Sequence, residues 1–259
     1  GEERSNAVSF VIGNYAFVGT GIKKEESFIY FSDFYKYSPE SDEWTQIANF
    51  GGAERGYSVS FAINDFGYVG TGSTASGQVK DFWKYNPSTN EWVQIADSPD
   101  EKAWASAFAI NSKGYLVAGL KYNNGSPFVY SDVQEYNPTN DQWVERIFAD
   151  GINLSFSNAT AFVIDGIGYI AYGNKNFVAS YNPANNDHEN IGDFFEISSV
   201  RNHPTSFNIN GIIYLGLGYW VENYKTTVYT NQFKSYTPPL PEPTSYDFTG
   251  GGSYCEGIN

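Results

Sequence analysis

The chain has 259 residues, enough for one large domain or two smaller ones; 41% are hydrophobic and 18% aromatic, ample material for a core. No apolar run approaches the ~18–20 residues of a membrane-spanning helix, which excludes helical membrane insertion. With 15 Lys and Arg against 29 Asp and Glu, the formal charge is −14. No basic stripe reverses it, so nucleic acid and anionic membrane surfaces are not expected partners.

Tyr, Phe and Gly dominate, at 21, 20 and 26 residues, a composition suited to pleated strands and tight turns. Cys255 is the only cysteine, so no internal disulfide and no cysteine-rich metal site is expected. The triplets at Asn124, Asn153 and Asn158 fit the N-x-S/T pattern, but a chain so rich in Asn, Ser and Thr contains about that many by chance. Gly1–Arg4 begins almost on the first repeat, as after a removed leader or an upstream domain.

In chain order, five copies of one pattern span 4–48, 55–97, 104–147, 158–192 and 201–237. Each opens on an apolar strand (VSFAI, ASAFAI and TAFVI are examples), expected to be covered on both faces near an axis. A turn such as Asn64-Asp65 or Asp165-Gly166 leads to a second strand. An aromatic there (Phe17, Tyr68, Tyr115, Tyr169, Tyr214) precedes by four residues the glycine column Gly21, Gly72, Gly119, Gly173 and Gly218. A third strand ends in Tyr37, Tyr85, Tyr136, Tyr181 or Tyr236, followed two residues later by Pro39, Pro87, Pro138, Pro183 or Pro238. Trp44, Trp92 and Trp143 mark a fourth strand, with His188 in that place in the fourth copy. Short apolar runs at a period of roughly 45–55 residues signal a blade array. Beyond Thr237, the Pro/Gly-rich stretch 238–259 is expected to be a tail, or to return through Tyr246–Thr249 as a closing outer strand.

Taken in register, these features resemble the kelch repeat family over residues 4–237. They are the glycine after an aromatic strand, Asp33, Asp81 and Asp132 four residues before the tyrosines, Tyr-x-Pro, and the tryptophans. The family's usual Gly-Gly pair is absent: Thr20, Thr71, Ala118, Tyr172 and Leu217 take its first position. The resemblance implies an all-β kelch-type β-propeller of four-stranded antiparallel blades, five visible and a sixth possible.

Spacing from tryptophan to the next glycine is steady at 28, 27 and 30 residues, whereas glycine to tyrosine varies as 16, 13, 17, 8 and 18. Length variation therefore lies between strands two and three, on the face that also carries the strand four-to-one connections. That face is the expected recognition surface. Its candidates are Lys23, Lys24, Glu25, Tyr122, Asn123, Tyr219, Trp220 and Tyr224 in the strand two–three loops. Arg55, Trp104, Arg201 and His203 stand with Arg4 at the strand-one entries. Arginine offers a planar fork for carboxylates and exposed aromatics suit sugars, so an acidic peptide or a carboxylated sugar is the ligand this pattern suggests.

The leading expectation is a monomeric, non-catalytic, extracytoplasmic module that binds a protein, peptide or glycan and needs no cofactor or metal. The propeller of galactose oxidase, within the resembled family, holds copper through two His and two Tyr, one of them cross-linked to Cys. Here His188 and His203 fall on different strands and Cys255 lies outside the repeats, which argues against copper. The alternative is a sugar mutarotase or epimerase of the kelch-propeller kind, drawing on Glu25, Arg55, Arg201 and His203.

Overall fold

A computed structural model describes residues 1–146, 157–171, 178–192, 203–209, 212–216, 219–222, 226–229 and 233–236. The alternating strands and their turns build four antiparallel four-stranded sheets, each a simple meander in chain order. The first comprises Val8–Ile12, Tyr15–Gly19, Phe34–Ser38 and Glu43–Ile47. The second comprises Val59–Ile63, Phe66–Gly70, Phe82–Asn86 and Glu91–Ile95, and the third Ser106–Ile110, Lys113–Val117, Val133–Asn137 and Gln142–Arg146. The fourth runs through Thr160–Ile164, Ile167–Ala171, Val178–Asn182 and Asp187–Gly192. This is an all-β propeller.

The blade number expected from the sequence needs correction. Five repeats predict five four-stranded blades; among the described residues four such sheets form. There the fifth repeat yields a three-stranded sheet of Thr205–Ile209, Ile212–Gly216 and Phe233–Tyr236. The outer-strand tryptophan does not decide this, because the fourth repeat carries His188 in its place and still forms four strands. The proposed closing strand Tyr246–Thr249 lies outside the described residues.

Innermost strands of successive sheets stand side by side. In the first sheet this strand alternates rather than being covered on both faces as expected: Val8, Phe10 and Ile12 are buried, while Val11 is 61% exposed. In later sheets the intervening residues are partly buried, Ala62, Ala107 and Ala109 packing on core clusters between sheets. There the Ser60 hydroxyl donates to Ser9 O of the preceding sheet at 2.8 Å.

Contacts between sheets explain the repeated columns. Phe10, Phe61 and Phe108 lie where a Cβ on Gly67, Gly114 and Gly168 of the next sheet would stand, so only glycine admits the ring. The tyrosines pack on the aromatic column of the sheet before: Phe17 with Tyr85 at 5.6 Å, Tyr68 with Tyr136 at 5.8 Å, and Tyr115 with Tyr181 at 5.7 Å. The Trp92 and Trp143 indoles donate to Ala48 O and Ala96 O, while Asn90 and Asp141 side chains accept from the amides of those same alanines. The second and third sheets thus grip the end of their predecessor's outer strand from both sides. Burying aromatics of this size dominates the energetics, at about 25 cal/mol per Å² of apolar surface.

Four of the loops of variable length form ribbons. Two-stranded pairs Ile22–Lys24 with Phe28–Tyr30, Ser73–Thr74 with Gly77–Gln78, Leu120–Asn123 with Ser126–Val129, and Tyr219–Glu222 with Thr226–Tyr229 connect strands two and three. Bridges Ser5 to Ile22, Gly56 to Ser73 and Ala103 to Leu120 fasten three of them to the strand-one entries, so ribbons and entries share one face.

Candidate functional site

The site begins with backbone. Fifteen residues before each glycine of the column stand Asn6, Tyr57, Trp104, Asn158 and His203. All five have left-handed φ, at 54°, 58°, 55°, 58° and 53°. Asparagine tolerates that region, but bulky side chains are uncommon there and carry strain of order 1–3 kcal/mol. What holds them is a collar of main-chain hydrogen bonds running from repeat to repeat. Tyr57 N donates to Asn6 O (3.2 Å), Trp104 N to Tyr57 O, Asn158 N to Trp104 O, and His203 N to Asn158 O (each 3.1 Å).

These five residues line one depression of ≈ 360 Å³ on the face that carries the ribbons, with Ser58 and Thr205 beside them. Tyr57 and Trp104 pack against each other, ring centroids 4.4 Å apart and tilted by 35°. Tyr122, 45% exposed on its ribbon, meets Trp104 edge-on at 5.9 Å, and His203 lies 6.3 Å from Tyr57. Burial holds the His203 imidazole below its ordinary pKa, so it is neutral at pH 7. The Asn158 Oδ1 is buried and accepts no hydrogen bond, an acceptor at the collar left for a donor.

Of the residues expected from the sequence, Trp104, His203 and Tyr122 come together. Arg55 does not join them. Its side chain is 1% exposed and forks onto Asp81 at 2.7 and 2.8 Å, with further bonds to Thr71 O and Ala53 O, over the Phe50 ring. It holds the entry segment to its own sheet instead of facing a ligand. Glu25 pairs with Lys23 at 2.9 Å. Tyr219 and Trp220 fall on a ribbon strand; Arg201 and Tyr224 lie outside the described residues. Sequence reasoning missed Asn6, Tyr57 and Asn158. Their constant offset from the glycine column is the signal that finds them.

The aspartate column also acquires a role. Arg4 pairs with Asp33, Arg55 with Asp81 and Lys102 with Asp132, each cation two residues upstream of the collar and over an aromatic ring, Phe31, Phe50 or Tyr130. Burial pulls the Lys102 ammonium down more than Asp132 raises it. Among the described residues, the cations flanking the depression are thus neutralised within the scaffold. Among the described residues, no group of three or more His, Cys, Asp or Glu is placed to hold a metal, and no helix is long and apolar enough to cross a membrane.

With four meandering sheets around this collar, the chain is a protein of the β-propeller class. No protein-family model and no curated protein matches its sequence. Among solved structures it is similar to YjhT, with a TM-score of 0.76 and 14% identity over 91% of this chain and 82% of that one. At such identity the likeness is one of fold.

Proposed function

We propose that the chain is a kelch-type binding propeller that takes its ligand in the axial depression and catalyses no reaction. The observation that carries this reading is the collar. Five successive repeats hold a left-handed residue at the same offset, and the side chains, three of them large rings, line one pocket. Strained bulky residues gathered at a concave surface favour a binding role over packing. The kelch-type assignment rests on the in-register glycine, aspartate, Tyr-x-Pro and tryptophan columns. The ligand is a small molecule, or one end of a peptide or glycan, because ≈ 360 Å³ lies at the low end of ligand sites. We place the protein outside the cytoplasm and as a monomer, on its acidic, nearly cysteine-free composition.

The mutarotase alternative draws on an acid–base pair. Of the groups expected to supply it, Arg201 lies outside the described residues; among those described, Arg55 and Glu25 are engaged with Asp81 and Lys23, and His203 lines the depression. Binding is therefore the better-supported reading.

The test is ligand-observed NMR of the intact protein against panels of peptides, glycans and small metabolites, with product signals followed over time. Tyr122→Ala, on an exposed ribbon, should weaken a bound ligand by about 1–3 kcal/mol if Tyr122 is an anchor. Asp65→Ala, in a turn on the opposite face, should leave affinity unchanged. Conversion of a ligand during the experiment, or loss of binding on Asp65→Ala alone, would overturn the reading.

A further inference from the structure

Resting on that reading of the depression, we infer that its ligand is an uncharged sugar residue presented by a neutral glycan, not the acidic ligand that the arginines suggest in sequence. Three features of the lining carry this.

The first is charge. Every described residue of the lining is uncharged except the titratable His203, which burial keeps neutral. The flanking cations Arg4, Arg55 and Lys102 already face Asp33, Asp81 and Asp132. An anionic ligand would lose its hydration here without gaining a counter-charge from the lining. The second is shape. The Tyr57 and Trp104 rings rest on one another at 4.4 Å, so they form one platform and leave no slot between them for a planar heterocycle. A platform of this kind accepts the C–H face of a sugar ring by apolar contact. The third is the polar complement. Asn6 and Asn158 each present a donor and an acceptor, Asn158 Oδ1 has no partner, and the Ser58 hydroxyl, donating to Thr71 O, still accepts. Such mixed groups suit hydroxyls, which donate and accept together, whereas a carboxylate only accepts.

The experiment uses the intact protein on a glycan array containing neutral, uronate, sialylated and sulfated members, followed by calorimetric titration with the neutral glycans retained. Neutral glycans should be bound selectively, and Tyr122→Ala and Trp104→Phe should each reduce affinity at least tenfold with circular dichroism unchanged. Asn158→Asp, which adds a negative charge at the collar, should discriminate further against acidic glycans. Preferential binding of acidic glycans would overturn the neutral-sugar inference while sparing the site. So would a failure of every neutral glycan to bind at millimolar concentration when another ligand class binds with dependence on Tyr122. Glycan binding indifferent to both Tyr122→Ala and Trp104→Phe would overturn the site itself.

Discussion

At the scale of single residues, the pairing of Arg55 with Asp81 shows how a recognition-like residue becomes scaffold. Burial pushes the Asp81 carboxyl up, but two hydrogen bonds and the charge of Arg55, with a bond from the Trp83 indole, hold it below the usual carboxylate value. Removing the carboxylate strands a guanidinium that is 1% exposed. Asp81→Asn should cost about 3 kcal/mol in urea denaturation, the low end for breaking a buried pair because Asp81 is itself 22% exposed. A loss under about 1 kcal/mol would mean that the ion pair is dispensable. The aspartate column was legible in the sequence but its partner was not, since cation and carboxylate lie 26 residues apart in chain order and no local periodicity links them. Thr20, Thr71 and Ala118 teach a related lesson. They stand where the kelch pattern has the first glycine of its pair, and all three have left-handed φ, at 54°, 53° and 56°.

At the scale of elements, the same side chain has different work in different sheets. Trp92 sits in a cluster with Phe34 at 4.9 Å and Phe50 at 5.1 Å, its indole bonded to Ala48 O. Trp44 occupies the equivalent strand of the first sheet and is 56% exposed. Trp92→Ala should therefore cost about 3 kcal/mol and Trp44→Ala less than about 1 kcal/mol, read as shifts of the denaturation midpoint. Equal losses would contradict the burial difference. Recurrence in register revealed that both belong to outer strands; it carried no information on which one is packed and which is exposed. The strand two–three loops behave alike. Their variable length was visible in sequence, whereas the ribbon pairing depends on bridges to distant entry segments.

At the scale of the whole molecule, the fold class was legible because five columns repeat at one period. The blade count was not, because the fifth repeat keeps the inner-strand columns and the outer-strand tryptophan does not decide whether a fourth strand forms. Of the residues gathered at the candidate site, Trp104, His203 and Tyr122 were singled out by residue chemistry; Asn6, Tyr57 and Asn158 share only a backbone angle, which residue type does not report. Electrostatics also acts globally. Asp33 is held low by hydrogen bonds and charge from Arg4. Glu135 is raised by burial, yet lies low overall through Lys113, Arg146 and Tyr115. With Asp81, these carboxylates have folded pKa values below their unfolded ones. Their stabilisation is present in full above the unfolded carboxylate range, about pH 4, and is lost as pH falls through the folded values. The urea midpoint should hold from pH 7 to about 5 and fall steeply below 4, with Glu135→Gln showing a shallower fall. A midpoint that rises on acidification would contradict this, even for a protein of charge −14.

The collar has a consequence for how such a pocket can change. Its hydrogen bonds run from main-chain amide to main-chain carbonyl, so the architecture draws on none of the five side chains for those links. Asparagine, tyrosine, tryptophan, asparagine and histidine already occupy equivalent seats. The depression therefore behaves as a socket with interchangeable pins. Substitutions at positions 6, 57, 104, 158 and 203 by residues that tolerate left-handed φ and keep the donating amide change the lining without touching the links, so proline and β-branched residues are the ones the wheel would resist.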